Sequence, residues 1–203
     1  MEVSKIKVLV TGGAGFIGSK LSERLINKGY EVYIIDNLST GKIKNLPQGC
    51  HFIEKDLSND NINNLLPTNI KYVFHFAAQS SGEISFDNPE YDLKCNVLST
   101  LKLLKWSRDN KVKRFVFASS MNVYGDTDKN PIIENEKPNP KSFYGVGKYS
   151  SEQYIKIYSN LGVNSTILRF FNIYGPGQNL DNLKQGMISI YLAYIINNKK
   201  LLI

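Results

Sequence analysis

Ile6-Lys7-Val8-Leu9-Val10-Thr11-Gly12-Gly13-Ala14-Gly15-Phe16-Ile17-Gly18 is the stretch that decides the fold. A short apolar run of strand type ends in a glycine-rich turn. The turn opens into residues 16–28, where Ile17, Leu21, Leu25 and Ile26 recur at helical spacing until Gly29 stops the helix. The glycines read either as G-x-G-x-x-G from Gly13 or as G-x-x-G-x-x-G from Gly12, Gly15 and Gly18. In both readings the turn takes unusual dihedrals, the helix packs close to the strand, and a side chain would block a pyrophosphate lying on the helix start. That helix start offers backbone N–H groups and a partial positive charge. A glycine-rich turn without a ligand has the same letters, so the motif is read with its surroundings.

Outward from this point, strand-like and helix-like segments alternate. Strands are expected at 6–11, 31–36, 51–54, 72–76, 114–119 and 165–170, and helices at 16–28, 89–109, 143–161 and 185–197. In the long helix 89–109, Leu93, Val97, Leu101 and Leu104 share one face and are expected to be mostly core. Residues 126–141 hold Pro131, Pro138 and Pro140 and read as a loop. Strands joined through helices need crossover connections, which give a parallel sheet covered on both faces: a doubly wound α/β plan. Residues 199–203 open another apolar run, expected to be a further strand at which the 203 residues stop.

Composition limits the alternatives. With 42% hydrophobic and 21% charged residues, 203 residues bury a core without disulfide staples, and disordered or collagen-like chains are excluded. No apolar run reaches the ~18 residues of a bilayer span, and residues 1–10 alternate charge with Val and Ile, unlike a signal peptide, so a cytoplasmic protein without membrane contact is expected. Cys50 and Cys95 read as ordinary thiols, and Cys50 beside His51 lacks ligand spacing, so no metal is expected. Of the 25 cations only Arg24, Arg108, Arg114 and Arg169 are arginines, and the lysines are scattered. That pattern fits a solvated surface rather than a nucleic-acid interface, although the net +7 attracts an anionic small ligand.

Two constellations carry chemistry. Asp36 ends the second strand 18 residues after Gly18, where a carboxylate bonds both ribose hydroxyls of an adenosine and repels a 2′-phosphate; NAD is favoured over NADP. Asp56 closes the third strand at the same edge and reads equally as an adenine neighbour or a helix cap. The second constellation is Ser119-Ser120 at the end of the fifth strand, followed by Tyr144 and Lys148. Tyr and Lys four apart share a helix face, so the ammonium is expected to lower the tyrosine pKa and to bind a ribose hydroxyl, while a serine bonds the reacting oxygen. Such a trio is a general acid/base for hydride chemistry on an alcohol. A Tyr-x-x-x-Lys pair alone is expected by chance in a chain with 12 tyrosines.

Order and spacing turn these residues into a resemblance. From its first strand to its end the chain resembles the extended short-chain dehydrogenase/reductase family of nucleotide-sugar epimerases and dehydratases. The motifs are Thr11 to Gly18, Asp36-Asn37-Leu38-Ser39-Thr40-Gly41, Asp56-Leu57, His75-Phe76-Ala77-Ala78-Gln79, Asn96-Val97, Ser119-Ser120-Met121-Asn122-Val123-Tyr124-Gly125, Tyr144 with Lys148, and Arg169-Phe170-Phe171-Asn172-Ile173-Tyr174-Gly175-Pro176-Gly177-Gln178. The resemblance implies a Rossmann fold in which Gly12, Gly15, Phe16, Ile17 and Gly18 hold the NAD pyrophosphate. Asp36, Asn37, Ser39, Thr40 and Gly41 would surround the adenosine ribose, with Asp56 and Leu57 at the adenine. Phe76, Ala77, Ala78 and Gln79 would line the cofactor channel, joined by Asn96 and Ser119. Ser120, Tyr144 and Lys148 are implied as the catalytic trio, with Tyr144 and Lys148 also touching the cofactor. Phe171 would lie near the nicotinamide, and Ser120 and Asn172 would meet a nucleotide sugar, UDP-linked by analogy. His75 is expected to be a satisfied core histidine, and Tyr124 and Tyr174 packing residues. The helices 89–109 and 143–161 are implied as a homodimer interface.

For the reaction, the resemblance suggests 4-epimerisation through a 4-keto sugar, with Tyr144 as base, Ser120 as proton relay or stabiliser, and Lys148 keeping Tyr144 acidic. The rival 4,6-dehydratases carry an Asp-Glu pair directly before the Val-Tyr-Gly turn, where this chain has Met121-Asn122; neither side chain shuttles a proton at neutral pH. A reductase of the same family is a further alternative. Family members usually continue into a smaller C-terminal substrate region, so residues 1–203 are expected to be the NAD-binding domain cut near its last strand, with the substrate cap missing. Either an enzyme fragment or a natural half that binds NAD without catalysis fits that ending.

Overall fold

The computed structural model describes residues 5–62, 64–180, 186–198 and 200. Six strands form one sheet: β1 (Lys7–Thr11), β2 (Glu31–Asp36), β3 (His51–Glu54), β4 (Ile70–His75), β5 (Arg114–Ser120) and β6 (Ser165–Phe170). All pairings are parallel, in the order β3-β2-β1-β4-β5-β6. The chain therefore reverses its direction of travel across the sheet between β1 and β4, and the carboxyl ends of these two strands flank a crevice.

The strands are buried on both faces. Val8 and Val10 face α1 (Phe16–Asn27) with Leu25, Val32 and Ile34, whereas Leu9 and Ile35 face the opposite layer with Leu103, Leu104, Phe115 and Ile155. This period-two division is why β1 reads as an unbroken apolar run. The opposite layer contains α4 (Ser99–Asp109) and α5 (Phe143–Asn160). Gly29, at φ +86, ends α1 by directing its N–H to the Ile26 carbonyl while Tyr30 N–H reaches Leu25.

The long helix expected at 89–109 is interrupted. After the one-turn α2 (Ile84–Asp87), Asn88 caps α3 (Pro89–Leu93) by accepting a bond from Tyr91 N, and a π-turn, Lys94–Leu98, separates α3 from α4. The Cys95 and Asn96 carbonyls accept the Ser99 and Thr100 hydroxyls, a side-chain competition with the backbone ladder that loosens a helix. Of the expected apolar stripe, Leu104 is buried but Leu93 is exposed. Among the described residues no α-helix covers the β2–β3 or β3–β4 crossing. β4 lies at 70–75 rather than 72–76, and the C-terminal helix expected at 185–197 is α6 (Met187–Ile196). The strand expected at 199–203 falls on residues of which only Lys200 is described.

Candidate active site

A cleft of about 450 Å³ runs along the carboxyl ends of the strands, over the β1/β4 reversal. At its floor Gly12, with φ +71, lies so close to the next strand that a Cβ would come 2.7 Å from Ala77 N; a Cβ on Gly18 would overlap the Gly12 carbonyl oxygen. Gly13 packs against Ile34 instead and does not line the cleft. The G-x-x-G-x-x-G reading is thus the one the geometry matches. α1 starts after Gly15 with no side-chain cap and no acidic residue in its first turn. Its first N–H groups and its partial positive charge are left for an anion, and the residues present fit the pyrophosphate of a dinucleotide.

At the β2 end, Asp36 is nearly buried. Its Oδ2 accepts from Ala14 N at 3.0 Å and its Oδ1 from Leu38 N at 2.9 Å, which holds the carboxylate at the cleft wall. Asn37, Ser39, Thr40 and Gly41 follow it along that wall. Asp56 and Leu57 complete the same end. Asp56 caps a turn rather than a helix, accepting from Ser58 N at 2.8 Å, Ser58 Oγ at 2.6 Å and Asn37 Nδ2 at 3.2 Å. Burial alone would push this carboxyl up, but those bonds and Lys102 outweigh it and hold it below the ordinary value.

At the other end of the cleft the wall is made by β4, β5 and α5. Phe76, Ala77 and Ala78 line it. Gln79 and Asn96 do not: Gln79 Nε2 turns to the Ser81 carbonyl and to Asp92 Oδ1, and Asn96 is buried with its amide on the same Asp92 oxygen. The post-β4 loop spends these side chains on itself, which departs from their expected place in the channel.

Ser142 caps α5 by accepting from Gly145 N at 3.1 Å, and this start sets Tyr144 and Lys148 toward β5. Ser120, Tyr144 and Lys148 meet in the cleft at 9%, 7% and 2% exposure. Lys148 Nζ donates to the Ala118 carbonyl at 2.9 Å and lies 5.7 Å from the Tyr144 ring centroid. Burial lowers the Lys148 pKa to about 8 against the pull of Asp92. Tyr144 departs from the sequence expectation: burial pushes its phenol up, the Ser120 hydroxyl pulls it down, and the Asp92 charge raises it again. Desolvation of the phenolate is the largest of these effects.

Ser119 also lines the cleft, but its hydroxyl donates to Glu152 Oε1 at 2.6 Å. Arg169 clamps the same carboxylate from β6, Nε to Oε1 at 2.9 Å and an Nη to Oε2 at 2.6 Å. Phe171 and Asn172, just past Arg169, reach the cleft rim. Tyr124 is buried under the Arg169 guanidinium, whereas Tyr174, expected to pack, is 63% exposed. His75 is a core histidine. Thr11 Oγ1 accepts from Ala77 N, so its proton goes to His75 Nδ1; His75 Nε2 then donates to Thr100, which donates to the Asn96 carbonyl. Burial holds the ring neutral, with its pKa near 3.

Sequence reading missed Asp92 and Glu152, each 1% exposed, and Tyr91 and Cys95 on the cleft wall. Helical spacing carried the signal: Glu152 lies one turn beyond Lys148, and Asp92 one turn before Asn96. Among the described residues no group of three or more His, Cys, Asp and Glu side chains is placed to hold a metal, and no helix is long and apolar enough to cross a membrane.

Comparison with known proteins agrees with this geometry. Residues 8–203 match the profile of the NAD dependent epimerase/dehydratase family. A putative UDP-glucose 4-epimerase of Methanocaldococcus jannaschii is 40% identical over 195 residues, 95% of this chain and 64% of that protein. UDP-glucose 4-epimerase of Thermotoga maritima, solved with UDP-glucose, superposes with a TM-score of 0.91 at 37% identity, covering 97% of this chain and 65% of that one. The Thermus thermophilus UDP-glucose 4-epimerase, solved with NAD, gives 0.86 at 35% identity, with 97% and 64% covered. The chain thus spans somewhat less than two thirds of the length of these relatives. With an uncapped helix start, the Asp36 carboxylate and a Ser-Tyr-Lys trio in one cleft, and with residues 8–203 matching its model, the chain belongs to the NAD dependent epimerase/dehydratase family, whose cofactor is NAD.

Proposed function

We propose that this chain carries the NAD-binding and proton-transfer half of a nucleotide-sugar 4-epimerase acting on a UDP-linked sugar. The observation that carries this reading is the single cleft that joins the phosphate-binding turn at Gly12–Gly18 to Ser120, Tyr144 and Lys148, with Met121 and Asn122 on its wall. NAD, when bound, supplies a reversible hydride acceptor. Tyr144 acts as the phenolate: it takes the proton of the sugar 4-hydroxyl, becoming a neutral phenol, and later returns it, while Ser120 bonds that oxygen and the Lys148 ammonium stabilises the phenolate before the proton is taken and after it is returned. Met121 and Asn122 offer no acid or base for elimination, which favours epimerisation over dehydration. Asn172 at the rim meets the substrate diphosphate, and the region supplying the rest of the sugar pocket corresponds to the third of the relatives that these residues do not match.

The active form in this reading is a cytoplasmic homodimer. Leu93 and Leu98 on one side, and Val146 and Ile157 of α5 with Leu161 at its end on the other, are exposed apolar side chains suited to a second copy. Light scattering at graded concentrations tests it; a monomer throughout removes the dimer.

Incubation with NAD and UDP-glucose, UDP-GlcNAc or their 4-epimers, using this chain and a version extended by any downstream coding sequence, tests the reaction. Interconversion that disappears in Tyr144→Phe is expected. NAD retained by the extended form without turnover would make the protein a binding module instead.

A further inference from the structure

Asp92 stands behind the catalytic pair and belongs to no function derived so far. It lies on α3, 1% exposed, and its Oδ1 accepts from Gln79 Nε2 and Asn96 Nδ2, both at 2.9 Å. Gln79 in turn grips Ser81 with both ends of its amide, so the carboxylate is held by the post-β4 loop and by the π-turn together. Its other oxygen faces α5 at Gly147, where a Cβ would come within 3.3 Å of Oδ2. Gly147 adjoins Lys148 and lies nearly one turn after Tyr144, and the missing side chain there is what brings a buried anion close to both.

Burial pushes the Asp92 carboxyl up, the Gln79 and Asn96 amides and the Lys148 charge pull it back toward the anion, and the surrounding groups leave this role to it. On α5, Glu152 is committed to Arg169 of β6 and to Ser119 of β5. On β4, His75 is neutral and bonded to two threonines. In the π-turn, the Cys95 thiol is pushed up by burial and stays protonated. Lys148 has a carbonyl as its hydrogen-bond acceptor and feels Asp92 as the charge that favours its protonated form. A buried ammonium without an anion nearby gives up its proton readily.

We propose that Asp92 is a positioning residue for the Tyr144–Lys148 pair: the buried anion that keeps Lys148 protonated and, being negative, delays the ionisation of Tyr144. The inference rests on the catalytic reading of that pair, but its test does not need turnover. Asp92→Asn keeps an oxygen for Gln79 and Asn96 and removes the charge. In the ligand-free protein, carbon NMR of Tyr144 Cζ and Lys148 Cε, assigned with Tyr144→Phe and Lys148→Met, is expected to show both titrations moving to lower pH by about one unit in the variant. Unmoved titrations in a folded variant overturn the proposal.

Should the variant not fold, the unaltered protein still decides. The Asp92 Cγ resonance is expected to report Lys148 losing its proton near pH 8, and a flat response there overturns the proposal. A merely structural Asp92 would lower stability without moving either titration. If the titrations move while Tyr144→Phe leaves epimerisation intact, the catalytic reading fails and the electrostatic one stands.

Discussion

The two ends of the cleft are built on different physics. At the β1–β2–β3 end the wall is backbone and short side chains: glycines with no room for a Cβ, an uncapped helix start, and carboxylates fixed by backbone N–H groups. At the β4–β5–β6 end it rests on buried titratable groups, Tyr144, Lys148, Asp92, Glu152 and His75, each under a tenth exposed. The first end is specified by shape. The second is specified by charge out of water, so its state changes with protonation and with single substitutions that leave shape intact.

That contrast can be broken from either side. The largest effect is expected at the charged end: Tyr144→Phe should cut turnover by about 10³-fold, roughly 4 kcal/mol, while NAD affinity measured by calorimetry stays within a few-fold. Arg169→Met leaves the buried Glu152 without its ion-pair partner, and denaturant melts should lose about 3–4 kcal/mol; a loss near zero would show that the pair is not buried in solution. At the shape end, Gly18→Ala should weaken NAD by about 2–3 kcal/mol, roughly 100-fold, and lower the melting temperature as well, because the added Cβ meets the Gly12 carbonyl oxygen. Asp36→Ala should weaken NAD by about tenfold and erase the preference over NADP; unchanged affinity would remove the carboxylate from the ribose site.

The effect of pH is spread over several units. His75 is neutral when folded, with its pKa lowered from 6.5 to about 3, so the unfolded chain binds the extra proton between those values. Stability is complete above about 6.5 and falls by ~1.4 kcal/mol for each unit of acidification toward about 3. His75→Gln, which cannot take that proton, should move the acid midpoint of unfolding downward. Absorbance of bound NAD at the shape end should follow the same midpoint, since Thr11 ties His75 to the Ala77 backbone.

The amino-acid sequence by itself determined the parallel α/β plan, the glycine-rich strand-to-helix turn, the place of Asp36 at the end of β2 and the shared helix face of Tyr144 and Lys148. These follow from local rules: β1 alternates between two buried faces, glycine alone fits where a Cβ would clash, and Tyr144 and Lys148 share a face because they are four apart on a helix. Only the tertiary structure decided which glycines face the ligand, that Gln79 and Asn96 turn away from the channel, and that Tyr174 is exposed. It also decided that Tyr144 is raised rather than lowered, because desolvation depends on everything packed around a group and not on its neighbour one turn along. Asp92 is the plainest case. As a letter it is one more helix-surface acid, and it becomes a buried charge beside Lys148 because α3 and α5 approach closely at Gly147.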